Sequence, residues 1–171
     1  MNFLPSYTKT ILASPLFLFA LVLSSCSANG SSTESILHSP IEEFAAIEEK
    51  HKELGDVQWL RDYDQALAQA KKEGKAVLIL FQEVPGCSTC RNYGQNVLSH
   101  PLMVEAIENE FIPLAIFNNK GGKDKEVLDK YGEPTWNNPV VRIVDEHGKD
   151  VVNRVAGNYS ALGLYEAMLS A

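Results

Sequence analysis

Residues Ala76-Val77-Leu78-Ile79-Leu80-Phe81 form an unbroken apolar run, with Gly74-Lys75 before it and Val84-Pro85-Gly86 soon after. A strand with one wet face alternates polar and apolar residues, so a continuous run of this length fits a strand covered on both faces, as in a parallel sheet. Such a strand is central, and it requires helices above and below the sheet. A helix is expected immediately before it: Tyr63, Ala66, Leu67 and Ala70 recur at helical spacing over 62–73, and Gly74 supplies the stop.

The remainder reads as an alternation of the same kind. After the strand comes a turn, Val84-Pro85-Gly86-Cys87-Ser88-Thr89-Cys90, that leads into a polar helical stretch. A further helix is expected over 99–109, with Ser99 as its cap and Leu102, Met103, Ala106 and Ile107 facing inward. Residues 111–117 read as a second strand, in which Pro113 must stand at the start or on an edge because it cannot donate to a ladder. A loop over 118–124, a short helix over 125–131 and a loop over 132–138 follow. Strands are expected at 140–144 and 151–155 with Gly148 in the turn between them, and Ser160 caps a closing helix through Ala161, Leu164 and Met168. The order predicts a mixed central sheet flanked by helices, an α/β sandwich.

The amino terminus carries a different kind of information. The first ten residues hold one cation, Lys9, and no acid, and an apolar stretch follows over 11–23. That is the layout of an export signal. The stretch is shorter than the ~20 residues of a spanning helix and contains Pro15. Leu23-Ser24-Ser25-Cys26 resembles a bacterial lipobox, which implies a signal peptide over 1–25 and a lipid attached to Cys26. Ser27 stands where lipoproteins kept at the inner membrane often carry Asp, so the resemblance leans toward the outer membrane. Residues 27–40, rich in Ser, Asn and Gly, have too little apolar surface to offset the entropy of ordering them, so 26–40 reads as a tether. An extra helix is expected over 41–54, with Ile41, Phe44, Ala45 and Ile47 on one side, either as a docking helix or as a solvated spacer; the segment 41–56 separates the tether from a single domain over 57–171.

With 171 residues and a formal net charge of −7, the chain has length for one sizeable core and no basic stripe to neutralise phosphates, which argues against nucleic acid as a partner. A monomer is expected.

Once Cys26 is assigned to lipid, two cysteines remain, Cys87 and Cys90. At i and i+3 on a first helical turn their Cβ atoms lie about 5–6 Å apart, within a small rotation of a disulfide. A thiolate at a helix start faces unpaired N–H groups and the positive end of the macrodipole, which lower its pKa. Cys87 is therefore the candidate nucleophile and Cys90 the resolving thiol, with Thr89 placed to donate to either sulfur. Structural zinc wants four ligands, and the histidines at 38, 51, 100 and 147 are scattered, so no metal site is expected. Covalent haem needs His after the second cysteine, where Arg91 stands. Cu(I) delivery by two thiolates and a purely structural disulfide stay open.

The central strand, the Cys87-Ser88-Thr89-Cys90 motif at the next helix start, and Asn138-Pro139 before a later strand together resemble the thioredoxin-like superfamily, over about 57–171. The resemblance implies a thioredoxin-like sandwich and a thiol-disulfide oxidoreductase, needing no diffusible cofactor, that exchanges disulfides with protein thiols in the cell envelope. A binding module or Cu(I) metallochaperone on the same scaffold is the alternative. It also implies that Pro139 is cis and faces the cysteines, and that Gly86, Asn138 and Pro139 contact a substrate peptide. Strand 140–144, running antiparallel to 76–81, would begin at the sheet edge where the motif strand ends. Two departures stand out: Gly86 and Ser88-Thr89 replace thioredoxin's Trp before the motif and its Gly-Pro within it, and the buried Asp of thioredoxin's motif strand has no counterpart in Leu80-Phe81-Gln82. Glu83 is the nearest acid in sequence, read either as a proton-transfer group or as a solvated loop residue.

Overall fold

The apolar run at 76–81 is the spine of the molecule. In the computed structural model, which describes residues 51–136 and 139–171, it forms β1 (Ala76–Gln82), buried everywhere beyond Ala76. Alternate side chains of a strand point to opposite faces, and here they feed two separate cores. Leu78 and Leu80 join Tyr93, Leu98, Ile107 and Leu164 on one face; Val77, Ile79 and Phe81 join Ala66, Ala70, Ile116 and Leu128 on the other. Full burial of each such aliphatic side chain contributes about 1.5–3 kcal/mol. Both faces are dry, which is why no polar residue interrupts the run. The chain divides into two units, 1–44 and 45–171, and every described residue belongs to the second.

β2 (Phe111–Phe117) lies parallel to β1 on one side, β3 (Val140–Val144) antiparallel on the other, and β4 (Val155–Ala156) antiparallel beyond β3, giving the order β2-β1-β3-β4. A parallel neighbour requires a crossover, here supplied by α2 (Ser88–Asn96) and α3 (Pro101–Glu110). These two and the closing α5 (Ala161–Leu169) cover the first face. The second face is covered by α1 (Tyr63–Glu73) and α4 (Lys123–Tyr131). The result is the expected mixed sheet between helices.

Local chemistry sets the boundaries. Asp62 caps α1 by accepting the N–H of Gln65 at 3.0 Å, and Gly74, with φ of 68°, closes it by donating to Ala70. Pro113 sits in the edge strand β2, and its own carbonyl accepts Leu60 N–H on the outer side, away from β1. Its missing N–H therefore removes no bond of the β1–β2 ladder.

Three expectations are corrected, and a fourth is mostly untested. Ser99 does not cap α3; His100 is the cap residue, Pro101 opens the helix, and the Ser99 hydroxyl donates to Gly94 O at 3.1 Å. Leu102 is 70% exposed, because the inward stripe is Met103 and Ile107 while Leu102 rims a groove between α3 and α5. The return strand expected over 151–155 is reduced to β4 and one bridge between Val144 and Asp150; between them Arg154 leaves the ladder to reach the buried Glu133. The helix expected over 41–54 falls mostly outside the described residues, and its last part is a 3-10 turn, Lys52–Leu54.

Candidate active site

β1 ends at Gln82 and the chain turns through 83–86 into α2, so the cysteine motif stands at the carboxyl end of the central strand. Cys87 is the N-cap residue of α2 and is exposed; Cys90, one turn on, is buried. Their sulfurs lie 3.5 Å apart in the dithiol form. That is van der Waals contact, from which a small rotation forms the bond.

The two thiols are electrostatically unlike. Cys87 is held below the ordinary thiol range, chiefly by the backbone N–H of Cys90; partial burial opposes this, and the Cys90 thiol and the N–H and hydroxyl of Thr89 reinforce it. These are the unpaired donors of a helix start, turned on a sulfur instead of a capping oxygen. Cys90 is pushed up to about 11, first by burial and then by its proximity to Cys87. One thiol is prepared to ionise and the other to keep its proton.

The turn before Cys87 is held from several sides. Gly86 lies so close to Cys90 that an added Cβ would be 2.6 Å from the Cys90 Cβ and 3.1 Å from its sulfur, so only glycine fits. The Gly86 N–H donates to Glu53 Oε1 at 2.9 Å, and its carbonyl accepts from Arg91. Asn119, from the loop after β2, accepts Val84 N–H at 3.1 Å and donates to Pro85 O at 3.3 Å. Val84–Pro85 is a cis bond. Below the motif Gln82 is fully buried, its amide donating to the Glu53 and Cys90 carbonyls.

Of the residues singled out in the sequence, Cys87, Cys90, Gly86 and Glu83 come together here. Glu83 approaches Cys90 through its backbone N–H, and its carbonyl oxygen lies beside Gly86; its side chain is half-buried. Pro139 is buried and directly precedes Val140, which pairs with Phe81, so it stands at the same end of the sheet as the motif. Asn138, and with it the Asn138–Pro139 bond, lies outside the described residues, as do Cys26 and the whole segment from the signal to the tether. Glu53, Asn119 and Arg91 were not legible as site residues. Glu53 and Asn119 reach the motif from segments 33 or more residues away in sequence, and a lone polar residue at such a distance carries no local pattern.

The residues just after α4 are anchored by a second polar group. Glu133, 5% exposed, accepts Arg142 Nε at 2.8 Å and Arg154 Nε and Nη2 at 2.7 Å, while Arg142 also reaches Asp150 at 2.6 Å. Burial works against the Glu133 carboxylate, but the two guanidinium groups outweigh it and hold its pKa below the usual range. This cluster ties the end of α4 to β3 and the return segment.

Comparison with known proteins agrees with this architecture. Similar solved structures include a thioredoxin from Thermus thermophilus (22% identity, TM-score 0.56, covering 66% of this chain and 85% of that one). A DsbH oxidoreductase is similar at 16% identity and TM-score 0.57, over 82% of this chain and 94% of that one. A putative disulphide-isomerase from Bacteroides thetaiotaomicron is similar at 21% identity and TM-score 0.55, over 67% and 92% respectively. No curated protein matches the sequence. The model of the family described as thioredoxin-like matches residues 58–146, more than half of the chain and the whole of the central sheet as far as β3, and with the fold and the motif in place the chain belongs to the thioredoxin-like family.

Proposed function

We propose that this protein is an exported, lipid-anchored thiol-disulfide oxidoreductase acting on protein disulfides or thiols through Cys87 and Cys90. The observation that carries the reading is the asymmetry of the pair: an exposed sulfur held low by helix-start N–H groups, in contact with a buried sulfur pushed up to about 11. In the reducing direction the Cys87 thiolate attacks one sulfur of a partner's disulfide and forms a mixed disulfide, and the partner's other sulfur leaves as thiolate and takes a proton. Cys90 then gives up its proton and attacks Cys87 Sγ, releasing the partner's second thiol. Two electrons pass to the partner, and the chain is left with the Cys87–Cys90 disulfide; the same steps reversed oxidise a dithiol. No diffusible cofactor enters.

Further roles follow. Gly86, Asn138 and Pro139 are the residues assigned to contact with a partner peptide, and the Glu83 carboxyl receives the Cys90 proton. Residues 1–25 direct export and Cys26 carries the lipid, which places the domain on the periplasmic side of a membrane, with Ser27 favouring the outer one. The export signal and lipobox resemblance support that part of the reading.

The experiment is trapping. Cys90→Ser leaves a competent nucleophile without its resolving partner, so mixed disulfides with envelope proteins accumulate as slow, reductant-sensitive bands on a non-reducing gel, whereas Cys87→Ser traps few. Equal or greater trapping by Cys87→Ser would reverse the two roles. Stoichiometric Cu(I) binding without reduction of insulin would replace the enzyme by a metallochaperone. In the same assay Glu83→Gln slows turnover, and an unchanged rate would leave Glu83 only its main-chain contact with Cys90.

A further inference from the structure

The segment just ahead of the family-matched region lies beneath the cysteine motif. The turn Lys52–Leu54 meets α2 at Gly94, where an added Cβ would be 2.0 Å from the Lys52 carbonyl oxygen and 2.6 Å from that of Glu53. Glu53 is only 5% exposed. A buried carboxyl group is tolerated where it is hydrogen-bonded, and here Oε1 accepts the Gly86 N–H at 2.9 Å. The Glu53 carbonyl accepts from Gln82, whose amide also reaches Cys90 O at 3.5 Å. Gly86 immediately precedes Cys87, packs against Cys90, and has its carbonyl held by Arg91.

Resting on the redox reading above, we propose that Glu53 is a positioning residue for the exchange: its buried carboxyl fixes the Gly86 amide and thereby sets where the Cys87 sulfur sits against the N–H groups of α2. Hydrogen bonds weaken steeply as they lose alignment. The N–H groups of Cys90 and Thr89 therefore favour the Cys87 thiolate only while the preceding peptide keeps its place. Glu53 acts through Gly86, and its effect is read on Cys87.

The test is the pH profile of Cys87 alkylation by iodoacetamide in the reduced full-length chain, a measurement that needs no partner protein. Glu53→Ala moves the midpoint upward and slows alkylation at pH 7 by about two- to fivefold, the size of a helix-terminus effect. Glu53→Gln, which keeps an acceptor oxygen at the same reach, retains the parent profile; that rescue separates an acceptor role from general loss of packing. Should Glu53→Ala not fold, Glu53→Asp, one methylene short of Gly86, takes its place with the same expected shift. A parent-like profile in the truncated variant, or a Glu53→Gln profile displaced as far as the truncation, overturns the proposal. Failure of the redox reading has a different signature, since the parent chain would then reduce no protein disulfide whatever the Glu53 variants do to alkylation.

Discussion

Cys87 and Cys90 are the same side chain three residues apart, yet their surroundings differ in every respect that governs a thiol. Cys87 stands at the open end of α2 among N–H donors, whereas Cys90 has turned inward against Gly86 and Gln82. The sign of the consequence follows from the two shifts. Thiolate forms above a thiol's pKa, so at pH 7 Cys87, held below the ordinary value of about 8.5, is alkylated faster than a free cysteine. Cys90 stays protonated and unreactive until the pH nears about 11. Pulse alkylation across pH 6–9, a span around the ordinary thiol value, with each site followed by mass spectrometry, should label Cys87 almost alone. Similar labelling of both would show that burial does not separate them. This contrast was half legible in the sequence: motif spacing put Cys87 at a helix start, but the inward turn of Cys90 depends on what α2 packs against.

At the scale of elements, α2 is seated by Gly94, where the helix backbone meets the backbone of the turn Lys52–Leu54. Gly94→Ala sets two effects against each other. Alanine favours a helix interior by about 1 kcal/mol over glycine, but its Cβ would fall 2.0 Å from the Lys52 carbonyl oxygen, an atom that cannot rotate away as a side chain would. Overpacking of this kind costs about 1–3 kcal/mol, so the clash prevails and Gly94→Ala lowers the denaturant midpoint. The same displacement carries the Glu53 carboxyl away from Gly86, so alkylation of Cys87 at pH 7 falls with it. A midpoint at or above the parent's would mean that the turn shifts freely. Glycine in the middle of a polar helical stretch is a visible oddity in the sequence, but its distant partner at Lys52 and Glu53 is not.

For the molecule as a whole, two anchors matter. One is the cluster around Glu133, which joins the end of α4 to β3 and the return segment. Its carboxylate pKa is lowered in the fold, so its stabilisation is present above the unfolded carboxyl value of about 4.3 and is lost as pH falls through the lower folded value. Glu133→Gln should cost about 1–3 kcal/mol at pH 7. That is less than the removal of one partner from a fully buried pair, because Arg154 keeps contact with water and Arg142 keeps Asp150. Chemical unfolding at pH 7 and pH 3 checks both statements: the cost of the variant should shrink in acid, and a constant difference would assign the loss to packing. The other anchor is the proposed lipid. Cys26→Ala should move the protein from the membrane to the soluble fraction, and palmitate labelling that persists in this variant would show that the lipid is attached elsewhere.

The sequence by itself determined the order of elements and the place of the chemistry, because those rest on local physics. An unbroken apolar run needs cover on both faces, Gly74 stops α1, and a cysteine at a helix start meets free N–H groups wherever the helix lies. Even Pro113, from its missing donor, limited its strand to an edge or itself to the strand's start, and the first of these holds. Tertiary structure decided what depends on neighbours distant in the chain. It turned Leu102 outward, because Met103 and Ile107 already filled the inward stripe, and it broke the return strand where Arg154 found a buried carboxylate. It also brought Glu53 and Asn119 to the turn that carries Cys87. A hydrogen bond to a buried peptide group carries no periodicity or spacing of its own; it exists only once two segments have been packed together.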